Sequence, residues 1–222
     1  MTTRRRIIYL VLSAFWLSAC ALLGPDVAQR AVHVKVLVDV PFRARNAHWN
    51  DEARGLIEAA SDFYEREFDL RLLTQSVHSW PEQERVTSTV ELLARLQKEF
   101  PLQAKSADYD LIVAFTGENI SHYLAAGRPR VDRIGNCAQG LGGYVVVPVR
   151  KVFNYRGPNL EPELDVIALI HELGHIFGAE HIEDIHSIMH VDFAYRSDFD
   201  RKNREVIRRN RLCPFAKQTN RH

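Results

Sequence analysis

One stretch, ALIHELGHIFGAEHIEDIHSIMH from Ala168 to His190, constrains this chain more than any other. It places five histidines among apolar residues and two glycines. A core helix has no packing reason to carry so many imidazoles. If His171 and His175 lie on a helix, four residues advance about 400°, so the two rings stand about 40° apart on one face, one turn along. Two imidazoles at that spacing can grip one ion. Glu172 directly follows the first of them and can reach the same space without being a ligand. Gly174 keeps bulk away beside the second. Gly178 takes positive φ at no steric cost, so it can end the helix and turn the chain. His181 then comes back toward the pair.

Three neutral ring nitrogens leave a fourth zinc position for water. Bound zinc lowers the pKa of that water to about 7. Glu172 would take the proton as general base and later hand it to a leaving amine. Together these groups make a hydrolase site suited to peptide bonds. His186 and His190 are read as surface or supporting groups, because the spacing already supplies three ligands. Two alternatives stay open. If His186, His190 or Asp184 closes the shell, the chain is a non-catalytic interaction lipoprotein of the envelope, stabilised by zinc. The other alternative is a zinc hydrolase of a non-peptide amide, such as a cell-wall component.

HELGHIFGAEH, residues 171–181, resembles the extended zinc-binding motif of the metzincin metallopeptidases at every fixed position. Five fixed residues at set spacing arise by chance in such a chain with a probability on the order of 10⁻⁴ or less. The resemblance implies a zinc endopeptidase with one catalytic ion and a peptide or protein substrate. It implies that Met189 in HSIMH is the methionine of a Met-turn beneath the metal, and that the domain covers residues 31–215. It also implies that GGYVVVPV is the edge strand above the cleft. Gly142, Gly143, Tyr144 and Val145 would then offer main chain to a substrate lying as an added strand. Some metzincins carry a tyrosine two positions after that methionine; here the position holds Val191.

The rest of the chain reads as one domain. AVHVKVLVDV alternates and is rich in valine, which predicts a strand. WNDEARGLIEAASDFYEREF has helical spacing, with Asn50 or Asp51 as its N-cap. LRLLTQSVHSW is a second strand, and RVTSTVELLARLQKEF a second helix, stopped by Pro101. YDLIVAFTG suits a strand buried on both faces. GGYVVVPV is a fourth strand, placed at an edge by Pro148. LDVIALIHELGHIFGA is the site helix, and DFDRKNREVIRRN a C-terminal helix capped by Ser197 or Asp198. The order predicts an α/β class: a compact single-domain sandwich on a mixed, twisted sheet, with an antiparallel edge strand.

The N-terminus reads separately. Arg4, Arg5 and Arg6 precede an apolar run from Ile7 to about Leu17, too short to span a bilayer comfortably, so residues 1–19 have the form of an export signal. Leu17-Ser18-Ala19-Cys20 resembles the lipobox of bacterial lipoproteins, which implies lipidation at Cys20 and a membrane partner through that lipid. By the same resemblance, to Gram-negative lipoproteins, Ala21 after the cysteine implies the outer membrane, facing the periplasm. Residues 20–30 would be a tether reaching about 35 Å when extended, and residues 216–222 a tail. An exported chain lives where disulfides persist, so Cys137 and Cys213 are candidates to pair. The 222 residues have a net charge of +1, which gives no reason to expect a nucleic-acid partner.

Overall fold

The computed structural model describes residues 29–81, 88–102, 108–118, 137, 140–158, 161–192 and 196–216. The expected export signal (residues 1–19), Cys20 and all but the last two residues of the expected tether lie outside them. Among the described residues four strands form one sheet: β1 (Arg30–Val38), β2 (Leu70–Ser79), β3 (Leu111–Thr116) and β4 (Tyr144–Pro148). The described residues also form five helices: α1 (Val40–Arg45), α2 (Trp49–Phe68), α3 (Thr89–Glu99), α4 (Leu164–Ile176) and α5 (Arg201–Asn210). The strand order is β2-β1-β3-β4. Among the described residues no helix is long and apolar enough to cross a membrane.

The two faces of the sheet follow from the period of two. Val32, Val34, Val36 and Val38 of β1, with Val113, Phe115, Val145 and Val147, join the larger core with α2 and α4. Leu37, Ile112, Ala114, Tyr144 and Val146 point the other way, onto Leu92, Leu93 and Leu96 of α3. β3 and β4 are buried at every position, as expected of strands covered by helices on both sides. The result is a three-layer stack with α4 lying against β4 and α2.

The sheet corrects one expectation. Among the described residues it is all parallel, with no antiparallel edge strand: β1 pairs in parallel with β2 and with β3, and β3 pairs in parallel with β4. A parallel pair needs a long crossover, and residues 117–143 between β3 and β4 supply the length. β4 is last in the order of described strands, where Pro148, lacking an N–H, closes the ladder opposite Thr116.

Three local features also differ. Asp39 opens the short helix α1, unforeseen in the sequence, by accepting from Phe42 N at 2.8 Å. α2 is preceded by His48 at the N-cap with no side-chain cap, so neither Asn50 nor Asp51 takes that role. α5 is capped by Asp200, not by Ser197 or Asp198.

Candidate metal centre

α4 is the apolar helix of the molecule. Residues 166–176 are all buried, so its two histidines and its glutamate must be satisfied from within the fold. His171 is 3% exposed, Glu172 2% and His175 7%. Tyr64 fixes the helix from below, its hydroxyl donating to Ile170 O at 2.9 Å. Burial pushes the Tyr64 phenol well above its ordinary range.

The helix ends at the point where a third ligand has to be brought in. Gly178 has φ +90°. Ala179 N bonds Gly174 O at 2.9 Å and Gly178 N bonds His175 O at 3.0 Å. These are the two bonds of a Schellman closure, and its left-handed residue suits glycine. The chain then reverses, and His181 returns to the ligand face.

The three imidazoles meet through Nε2. The separations are 3.0 Å for His171–His181 and 3.2 Å each for His175–His171 and His175–His181. His171 Nδ1 lies 2.7 Å from Ile188 O, and His175 Nδ1 lies 2.8 Å from Ala179 O. A carbonyl only accepts, so both Nδ1 atoms carry the proton and both Nε2 atoms carry a lone pair. Lone pairs aimed at one another this closely repel unless a cation sits among them. Tetrahedral zinc with nitrogens at about 2.0–2.1 Å sets neighbouring ligands about 3.3–3.4 Å apart, close to the spacing here. The donor set therefore fits zinc, and among the described residues it is the one cluster of three or more possible ligands.

His186 is exposed and His190 half-buried. His186 N donates to Asp184 Oδ1, and His190 Nδ1 accepts from Asp192 N. None of His186, His190 and Asp184 belongs to the cluster.

Met189 is fully buried in the turn from Ser187 to His190. A Cβ on Gly174 would stand 2.9 Å from Met189 Sδ and 3.0 Å from Phe199 Cε1. The glycine beside the second histidine thus admits the thioether and the ring against the helix. Phe199 extends an aromatic layer with Phe63, Tyr64 and Phe68, ring centroids 5.7–6.3 Å apart.

The residues read as a substrate-binding edge lie at and just before the start of β4, the last strand in the order of described strands. Gly142, Gly143, Tyr144 and Val145 are buried. Tyr144 Oη accepts from Leu102 N at 2.6 Å and donates to Phe100 O at 2.9 Å. Gly143 leaves room for Leu102, whose Cδ1 would be 2.1 Å from an added Cβ. The Tyr144 side chain packs in the core against α3, and that of Val145 faces the larger core with α2 and α4.

Cys137 and Cys213 are joined by a disulfide, with Cα atoms 5.0 Å apart. Beside it, Leu141 N bonds Pro214 O and Ala216 N bonds Leu141 O. The bridge ties the segment after α5 to the approach to β4.

Sequence reading missed a set of polar residues around the site. Asp200, Asn203 and Ser187 form a buried or half-buried group behind the histidine-bearing turn. Burial pushes the Asp200 carboxyl up, but bonds from Asn203 N, the Asn203 amide and Ser187 outweigh it and hold the group below its usual range. A signal for them existed: Asn203 and Asn210 share the buried stripe of α5 with Ile207, where apolar residues would be the rule.

A helical α/β sandwich with three converging histidines defines the class: a zinc-binding, metallopeptidase-like fold of metzincin type. The chain belongs to metallo-peptidase family M12, whose Reprolysin_5 model matches residues 28–221. Among solved structures it is similar in fold to archaemetzincin from Methanopyrus kandleri, with a TM-score of 0.50 and 20% identity over 84% of this chain and 98% of that one. No curated protein matches it.

Proposed function

We propose that the chain is a zinc-dependent endopeptidase held at the bacterial cell envelope by lipid on Cys20. The observation that carries the catalytic reading is the convergence of three Nε2 atoms at 3.0–3.2 Å, two of them fixed as lone-pair donors by carbonyls behind the rings. His171, His175 and His181 would hold the ion, and the Met189 turn would be the Met-turn beneath it. Bound zinc supplies Lewis acidity, polarising a carbonyl and acidifying water.

The chain's own groups do the rest. Glu172 takes a proton from the attacking water as the C–O bond forms. It delivers that proton to the amide nitrogen as the C–N bond breaks, so the carboxylate is regenerated. Its burial on α4 keeps bulk water away from the carboxylate. Membership in a peptidase family supports a peptide or protein substrate. The lipobox-like sequence Leu17–Cys20 supports the envelope location.

Glu172→Gln tests the base. Zinc content should stay at the parent level, while peptide cleavage in a library screen falls by about 10²–10⁴-fold. Unchanged cleavage would take Glu172 out of the mechanism. A parent chain that binds zinc and cleaves no peptide would favour a non-peptide amide or a structural ion.

A further inference from the structure

Two of the three histidines sit on α4, and their directions follow from the helix. His181 does not. Its direction depends on what holds residues 177–180, and α5 provides that hold.

Asn203 is 2% exposed. Its Oδ1 accepts from Glu180 N at 2.9 Å, and its Nδ2 donates to Glu180 O at 2.9 Å. One side-chain amide thus closes two bonds on the backbone of the residue immediately before His181. Two turns along the same stripe, Asn210 Nδ2 donates to Phe177 O at 3.0 Å, just before Gly178. The reversal between α4 and His181 is gripped at both ends.

The grip continues toward Met189. Asn203 Nδ2 also donates to Asp200 Oδ2 at 2.7 Å, and Asp200 Oδ1 accepts from Asn203 N at 3.0 Å. Ser187 Oγ donates to Asp200 Oδ2 at 2.8 Å and accepts from Met189 N at 3.0 Å. One chain of bonds therefore runs from Glu180 through Asn203, Asp200 and Ser187 to Met189.

An apolar residue at 203 could fill the same volume, but it would leave the bonds to Glu180 N, Glu180 O and Asp200 unmade. It could not set an orientation. A donor and an acceptor held in one plane, matched to one residue's N–H and C=O, fix the peptide from which His181 projects.

We propose that Asn203, braced by Asp200, is a positioning residue for the third metal ligand. The inference deepens the proposed function and rests on its metal site alone, independent of whether the chain cleaves peptides.

The test measures zinc affinity on the full chain by competition with a chromophoric chelator, comparing the parent with Asn203→Ala and Ser61→Ala. Ser61 is a matched control: it is buried, it bonds Leu72 N and O from its own hydroxyl, and it lies on α2 facing β2, not the histidine turn. Asn203→Ala should weaken zinc binding by about 10–100-fold, while Ser61→Ala leaves it unchanged.

The visible spectrum of the cobalt(II)-loaded protein gives a second readout. At saturating cobalt the parent and Ser61→Ala should share one set of d–d bands, and Asn203→Ala should show shifted or weakened ones. If Asn203→Ala does not fold, Asn203→Asp replaces it: the carboxylate still accepts from Glu180 N but cannot donate to Glu180 O, and the same loss is expected. Parent-like affinity and spectrum in the Asn203 variant would overturn the positioning role and leave the metal site intact. A parent chain that takes up no metal would remove both readings.

Discussion

The two histidines on α4 and the one beyond it are held by different physics. His171 and His175 owe their spacing to helical geometry, and the helix owes its place to apolar burial. His181 owes its place to a left-handed glycine and to hydrogen bonds from residues more than twenty positions away. Stability and metal binding should therefore respond in opposite order to changes in the two regions.

The largest stability effect belongs to the packing beneath α4. Phe199→Ala removes a ring lodged among Phe63, Tyr64 and Phe68 and against Gly174. It should cost about 3–5 kcal/mol in denaturant unfolding, with a small change in zinc affinity. Gly178→Ala should do the reverse. A side chain at φ +90° costs about 1–2 kcal/mol, but the shift falls on the segment that aims His181. Its zinc affinity should drop further than that of Phe199→Ala. Equal ranking in both measurements would break the distinction.

The smallest effect sharpens it. Tyr64→Phe removes one bond to Ile170 O and should cost about 1 kcal/mol or less near neutral pH. The folded-state pKa of Tyr64 is raised by burial. Its contribution is therefore complete below the unfolded value of about 10 and is lost as pH climbs above it. Tyr64→Phe should resist alkaline unfolding better than the parent, followed by circular dichroism between neutral and strongly alkaline pH. An unchanged alkaline midpoint would remove Tyr64 from that transition.

Much of this was legible in the sequence, and where reading failed the cause is physical. α2 matches the stretch WNDEARGLIEAASDFYEREF from end to end, because apolar positions recurring at helical period specify which face is buried. The ligand histidines are legible because a local spacing fixes them. Strand direction is not local. Nothing in GGYVVVPV distinguishes parallel from antiparallel pairing, and the crossover from β3 decides it. The cap of α5 was misplaced because Ser197, Asp198 and Asp200 all suit an N-cap, and Asp200 prevails through its added bond to Ser187. Asn203 went unnoticed because its partner, Glu180, is joined to it only in three dimensions.

The most direct measurement is X-ray absorption at the zinc edge on the purified, zinc-loaded chain, together with metal stoichiometry. The expected result is one zinc per chain with three imidazole nitrogens at about 2.0–2.1 Å and one oxygen from solvent. A shell filled by four protein ligands, or a chain that retains no zinc, would contradict an open three-histidine centre.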